Sequence, residues 1–484
     1  MNRTPAGETG PGTRLELRHI GLLLGLGAFT LLRMLPAPAG MPPEAWAVAA
    51  LVILMATFWF TEALPIAATA MLPFVILPLM GIASTREVAG QYYSPIIFLV
   101  LGGAIVAVAV EKYGLHRRIA LGLAARSPAS LAGVLAAFMA ATALISTLIS
   151  NTATTLIMMP VAIALLAALP GVVGEEAERR FAPVLILGVA YAANIGGLAT
   201  LVASPTNAIA AGIIERSLGL RVTFLDWALF GVPLAIVSLP VTIGALMLVG
   251  RVANTRLDPR PLLDAIGKPG PLTGPQRRLI PLLGLLLFGW LVLPFFKAPL
   301  GLEAVDDAMV AIIVALLLFV VPAGGGGPIL KWADTKRVPW DVLLLFGGGL
   351  ALATFIADSG LADWLGTQLS GFAQLPPWAL AMIAVAIMLL VTEFASNVAT
   401  ASAFMPVVAA VAVETGVNPL PLMMAAALAP TWGFMMPAGT GPNAIAFSTG
   451  RVPIRQMIGT GFILDLAGIP LIVGTCFLVA ALLG

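Results

Sequence analysis

A single cysteine, two histidines and few charges set the first limits on this 484-residue chain. Cys476 alone rules out an intrachain disulfide and a cysteine-built metal cage. His19 and His116 form no His-Glu-x-x-His pattern, and no Gly-x-Ser-x-Gly string occurs, so no enzyme activity is expected. Charged residues make up 10% of the chain, where a soluble domain carries about 25%. That scarcity excludes an ordinary soluble domain. The absence of short alternating segments excludes a transmembrane barrel. A net charge of +2 gives no reason to expect a nucleic-acid partner.

What fills the chain instead is apolar sequence, 60% of it. The runs fall at 20–36, 45–62, 64–83, 92–111, 131–168, 182–214, 227–250, 278–296, 303–322, 339–358, 376–414, 420–448 and 459–483. A helix needs roughly 20 apolar residues to cross a bilayer. The runs 131–168 and 376–414 are about twice that length, and each carries a polar string near its middle. The first is Ser150-Asn151-Thr152-Ala153-Thr154, with Ser146 upstream and Pro160 downstream. The second is Ser396-Asn397-Val398-Ala399-Thr400, with Thr392 and Pro406 at the same offsets. Hydroxyls and amides are costly in lipid unless bonded, so each run reads as a re-entrant hairpin with the string at its tip.

Charge agrees with that threading. With the N-terminus in the cytoplasm and two hairpins, the Lys and Arg residues fall on the cytoplasmic side, except Arg86, Arg216, Arg221, Lys297 and the intra-span Arg33. This is the positive-inside pattern. Reading each long run as one span would move the cation-rich 251–278 loop outside. The expected architecture is therefore all-α: eleven transmembrane helices plus two re-entrant hairpins, in two inverted repeats. Residues 1–19 form a disordered cytoplasmic tail. Residues 20–250 hold the first span and the N-terminal repeat, with hairpin 131–168 opening inward. Residues 251–277 are a cytoplasmic linker, and 278–484 the second repeat, with hairpin 376–414 opening outward. The C-terminus lies outside.

A second duplicated string follows each hairpin. Ala203-Ser204-Pro205-Thr206-Asn207-Ala208-Ile209-Ala210 matches Gly439-Thr440-Gly441-Pro442-Asn443-Ala444-Ile445-Ala446. A proline inside an apolar run predicts a helix break. Half-helices beginning just after Asn151, Asn207, Asn397 and Asn443 would aim free N–H groups at an anion. The unwound carbonyls before them would suit a hard cation such as Na+. No Lys, Arg or His lies near the four breaks in sequence, so co-bound cations are the expected balance for a bound anion. Glu393, next to the second string, reads as a carboxyl that braces its hairpin or as a proton site. The Gly102-Gly103 and Gly347-Gly348-Gly349 clusters read as close-packing sites.

With these strings in view, the chain resembles the divalent anion–sodium symporter family, the sodium-coupled di- and tricarboxylate and sulfate cotransporters. Its paired Ser-Asn-Thr motifs match Ser150-Asn151-Thr152 fully and Ser396-Asn397-Val398 in two positions of three. Trp59-Phe60-Thr61-Glu62-Ala63-Leu64-Pro65 and Thr392-Glu393-Phe394 are also similar. The resemblance implies one Na+ at Ser146, Ser150, Asn151 and the Ala203 carbonyl. It implies a second at Thr392, Ala395, Asn397 and the Gly439 carbonyl. Substrate would meet Ser150, Asn151, Thr152, Ser204, Ser396, Asn397 and Thr440, with Val398 in the third motif position. It further implies Na+-coupled symport of a small dianion, foremost a C4-dicarboxylate such as succinate, malate or fumarate. An elevator-type movement, a homodimer, no organic cofactor and a bacterial inner (plasma) membrane location complete the expectation. Sodium-independent exchange, or a sulfate or tricarboxylate substrate, is the alternative on the same fold. Val398, Ala203, Thr206 and Gly441 depart from the family pattern.

Overall fold

The computed structural model describes residues 11–124, 129–258, 261, 267, 270–369, 371, 375–414 and 418–483. Among the described residues the regular structure is helical, with two isolated β-bridges, Ser130–Arg256 and Pro322–Pro328. The N-terminal half runs α1 (Pro11–Met34), α2 (Pro43–Thr61), α3 (Ile66–Thr69), α4 (Leu72–Leu79), α5 (Thr85–Gln91), α6 (Pro95–Lys112) and α7 (Leu115–Ala124). It continues with α8 (Leu131–Ser146), α9 (Asn151–Ala168), α10 (Pro170–Val173), α11 (Glu175–Leu198), α12 (Pro205–Leu218) and α13 (Phe224–Val249). The C-terminal half runs α14 (Gly274–Leu291), α15 (Asp307–Val320), α16 (Trp340–Asp358), α17 (Leu361–Leu369), α18 (Pro377–Thr392) and α19 (Asn397–Glu414). It ends with α20 (Leu420–Leu428), α21 (Gly441–Ser448) and α22 (Ile454–Leu483).

Many of the prolines sit where a helix tolerates them. Pro43, Pro95, Pro205 and Pro377 each open a helix, where the missing N–H would have had no partner. The expected tail 1–19 needs correction. Residues 1–10 lie outside the described residues, but α1 already begins at Pro11. The Arg18 guanidinium donates from Nε to the Ala63 carbonyl at 2.9 Å, which anchors this stretch of α1 beside the end of α2.

Among the described residues, seven helical segments are long and apolar enough to cross a membrane: α2, α6, α9 with α10, α11, α13, α16 and α22. The shorter apolar helices include the arms α8, α18 and α19, and α15 and α20. Each long apolar run is thus two helices joined by a short connector, 147–150 in one half and 393–396 in the other. The order also repeats. The series α6, α7, α8, α9, α11, α12, α13 is matched by α16, α17, α18, α19, α20, α21, α22.

The two broken helices, α11–α12 and α20–α21, form the centre. Every residue of α11 from Phe181 to Leu198 is buried, and so is every residue from Pro421 to Leu428 in α20. A helix apolar on all sides belongs inside a protein rather than on its surface. Packing then crosses between halves. The second arm of the first hairpin, α9, lies on α21, and its counterpart α19 lies on α12; α13 packs on α22. Small residues allow these approaches. A Cβ on Gly102 would come within 2.6 Å of the Ala311 Cβ, and one on Gly348 within 2.2 Å of the Ala70 carbonyl oxygen.

Candidate ion and substrate site

The crossed packing brings four helix N-termini together. A cavity of about 470 Å³ is lined by the starts of α9 (Ser150, Asn151, Thr152), α12 (Ser204, Pro205, Thr206), α19 (Ser396, Asn397, Val398) and α21 (Thr440, Gly441, Pro442). Ala203 and Gly439 line it from the adjoining breaks. A face of α6, carrying Val100, Ala104, Ala107, Val108 and Glu111, forms one wall, and Arg337, Pro339 and Val342 complete it. Among the described residues that line it, Glu111 and Arg337 are the charged ones. Glu111 lies at the C-terminal end of α6. There Lys112 holds the 332–337 turn through Asp334 at 2.7 Å, and the Tyr113 hydroxyl donates to the Ile329 carbonyl. The bond from Lys112 keeps the Asp334 carboxyl below its usual range.

Serine, not asparagine, caps each hairpin arm. Ser150 Oγ accepts from the Ala153 N–H at 3.4 Å, and Ser396 Oγ from the Ala399 N–H at 3.1 Å. The helices therefore begin at Asn151 and Asn397 rather than after them. That leaves each asparagine side chain free to turn toward the break beside it. Ser146 Oγ lies 3.0 Å from Asn151 Oδ1 and 2.7 Å from the Ala193 carbonyl oxygen. Thr392 Oγ1 lies 3.1 Å from the Asn397 side-chain amide and 2.8 Å from the Pro430 carbonyl oxygen. The two clusters are built alike.

The second cluster is crowded with acceptors. The acceptors around it orient the Asn397 amide so that its NH2 donates to the Gly439 carbonyl at 2.7 Å and the Pro430 carbonyl at 3.1 Å. Turned the other way, its Oδ1 would join those carbonyls around a cation. Near the first cluster, Gly197 gives Asn151 its room, since a Cβ there would lie 2.2 Å from Asn151 Oδ1. Ala395 is buried in the second hairpin's connector but does not line the cavity. The Ala193 and Pro430 carbonyls join clusters that sequence spacing did not assign to them.

Asn207 and Asn443 do not head half-helices. They sit at the third position of α12 and α21, whose caps are Ser204 and Thr440. Asn207 Nδ2 donates to the Gly197 carbonyl at 2.7 Å and the Thr200 carbonyl at 2.8 Å. Asn443 Nδ2 donates to the Gly433 and Met436 carbonyls, both at 3.1 Å. Each side chain thus replaces hydrogen bonds that the unwound backbone lost, which buried carbonyls require. Glu393 is buried and braces the second break: its two oxygens accept from the Met435 and Met436 N–H groups at 2.9 and 2.7 Å. The Thr200 hydroxyl, donating to the Thr147 carbonyl, ties the first break to its own hairpin.

Two polar hairpin tips that meet two broken helices around a cavity, inside an apolar helical bundle, define a multi-pass membrane transporter and not an enzyme. A family model described as the sodium:sulfate symporter transmembrane region matches residues 16–484, and the chain belongs to that family. It is 36% identical over 480 residues to the sodium-dependent dicarboxylate transporter SdcS of Staphylococcus saprophyticus, covering 96% of this chain and 92% of the relative. It is 37% identical over 461 residues to the SdcS of Staphylococcus aureus, covering 92% of this chain and 88% of that one. Among solved structures, the Alcanivorax borkumensis YdaH transporter matches with a TM-score of 0.52 at 16% identity. That match covers 92% of this chain and 98% of the other, and it supports the fold alone.

Proposed function

We propose that this chain carries a small dianion, foremost a C4-dicarboxylate, together with Na+. The observation that carries the reading is the pairing of oxygen clusters with a polar cavity. Ser146, Asn151 and the Ala193 carbonyl form one cluster; Thr392, Asn397 and the Pro430 and Gly439 carbonyls form the other. Both offer the uncharged oxygens that suit Na+. The cavity between them offers hydroxyls and helix N-termini to an anion. Among the described lining residues the one cationic side chain is Arg337, near the far end of the α6 wall, so bound Na+ would supply the balancing charge. Each net positive charge moved inward then draws about 2.3 kcal/mol per 100 mV of membrane potential. The names of the Staphylococcus relatives support both the sodium and the dicarboxylate.

In this reading the N-terminus is cytoplasmic, the C-terminus is outside, and the protein sits in a bacterial inner membrane as a homodimer. The cavity follows α6 toward Glu111 and Arg337, which positive-inside counting places on the cytoplasmic side. In that orientation we read the cavity as reaching toward the cytoplasm. The two hairpins and two broken helices would move as one body against the other helices, in an elevator manner.

The test is uptake of labelled succinate by proteoliposomes under an inward Na+ gradient. Uptake should collapse when choline replaces Na+. Equal uptake in choline, or counterflow driven by internal malate with no cation gradient, would replace symport with exchange. Competition by succinate, citrate, sulfate and aspartate would fix the substrate class.

A further inference from the structure

Thr440 Oγ1 receives two N–H donors. Asn194 Nδ2 reaches it at 2.9 Å and the Asn443 backbone N–H at 3.2 Å. A hydroxyl has two acceptor lone pairs and one proton. With both lone pairs engaged, what remains on Thr440 is its O–H. Thr440 lines the cavity beside Thr152, and Asn194 lines it from α11.

The direction of these bonds is fixed from further back. Asn443 must turn its NH2 toward the Gly433 and Met436 carbonyls, both of them acceptors only. Its Oδ1 is thereby presented to Asn194, 3.5 Å from Nδ2. That oxygen in turn makes Asn194 present its NH2 to this corner, and Thr440 accepts from the same nitrogen. The polarity runs from the carbonyls of the break, through Asn443 and Asn194, to a hydroxyl proton facing the cavity. Asn194 is fully buried, and its Oδ1 has no partner among the described protein groups.

Among the described residues the other half shows no such chain of bonds. Asn207 bonds its two carbonyls in the same way, but its Oδ1 is unpartnered and Ser204 makes no capping bond. Counted back from the break, Asn194 corresponds to Pro430, which has no side-chain donor, and the next residue, Thr431, has a buried hydroxyl without a partner among the described residues. The Thr440 end of the cavity therefore has a donor oriented by a chain of bonds that the Ser204 end does not show among the described residues.

We infer that Asn194 is a positioning residue that holds the Thr440 hydroxyl as a hydrogen-bond donor to one carboxylate of the substrate. The inference rests on the transport reading above and names one residue pair that grips the substrate. A charge-assisted bond to an anion is stronger than a neutral one.

The experiment uses full-length protein in proteoliposomes and reads KM and maximal rate for succinate. Thr440→Val and Asn194→Leu should each raise KM by about tenfold or more. The double variant should be no worse than the poorer single one, because Asn194 acts through the Thr440 hydroxyl. Thr440→Ser, which keeps the hydroxyl, should stay near the wild-type KM. Na+-induced thermal stabilisation, measured without substrate, should be unchanged in Asn194→Leu. If that variant does not fold, Asn194→Ala is read by the same rule. A wild-type KM in the Asn194 variant, multiplying effects in the double variant, or loss of Na+ stabilisation each overturns the inference. A wild-type protein that transports no dicarboxylate would instead overturn the transport reading.

Discussion

Thr152 occupies the space that a side chain on Gly441 would need: a Cβ built there would lie 2.4 Å from Thr152 Oγ1. The tip of the first hairpin is thus pressed against the first residue of α21, which belongs to the other half. Gly441→Ala should force the tip away and lower transport at least tenfold, consistent with an overpacking cost of about 1–3 kcal/mol. Adding Thr152→Ser, which removes a methyl but keeps the hydroxyl in contact, should not restore it. Adding Thr152→Ala should restore part. Initial uptake rates of the three variants decide the point.

The twin oxygen clusters predict paired losses. Asn151→Ala and Asn397→Ala should each abolish Na+-driven uptake, while the purified proteins still elute as folded species in detergent. Thermal melts should lose most of their Na+ dependence in either variant. A variant with normal Na+ stabilisation and normal uptake would remove that asparagine from the cation sites.

Gly197 tests the room around the first cluster by itself. Alanine there places a methyl on Asn151 Oδ1. Gly197→Ala should weaken the Na+ response several-fold. Gly433→Ala should be milder, since a Cβ at the matching position meets Thr392 Cγ2 at 3.0 Å and Glu393 Oε1 at 3.3 Å. Na+ titrations of the two variants, run side by side, give the ranking.

Losing the braces should cost stability before anything else. Asn207→Ala and Asn443→Ala each strand two buried carbonyls, a penalty of about 2–6 kcal/mol at about 1–3 kcal/mol per group. Both should lower the melting temperature. Asn443→Ala should in addition raise the substrate KM, because it removes the anchor that orients Asn194.

Much of this was readable in the sequence because polar residues in apolar runs are costly and therefore informative. The doubled strings at Ser150 and Ser396, and at Ser204 and Thr440, marked the corners of the cavity. Charge counting separated two hairpins from two long spans. What escaped were groups without a distinctive side chain. The Ala193 and Pro430 carbonyls are oxygens that any residue could supply, so no spacing pointed to them. Asn194 escaped because it sits alone in α11 without a duplicate, and duplication was the signal. The roles of Asn207 and Asn443 were misjudged because both cap and brace residues are small and polar. Their separation depends on where the backbone unwinds.

His116 predicts a pH effect away from the cavity. It lies on α7, where burial pushes its imidazole below the ordinary value of 6.5; the Val110 carbonyl opposes this and Arg117 adds to it. Below 6.5 the unfolded chain takes a proton that the folded chain does not, so stability falls as pH drops through 6.5 toward the folded value. His116→Gln should flatten the melting temperature between pH 7.5 and about 5.5. An unchanged slope would place the pH response elsewhere.

The crossed packing also bears on how the protein is made. The first hairpin leaves the ribosome long before α21, the helix that covers its tip. Until then Ser150, Asn151 and Thr152 must be kept from lipid by water, by a neighbouring helix or by the insertion machinery. A chain cut after α13 would hold a complete hairpin and half a cavity, with no partner for either. Both halves have to be present before either polar tip has a place to rest, so assembly of the site is a late event in the biogenesis of the chain.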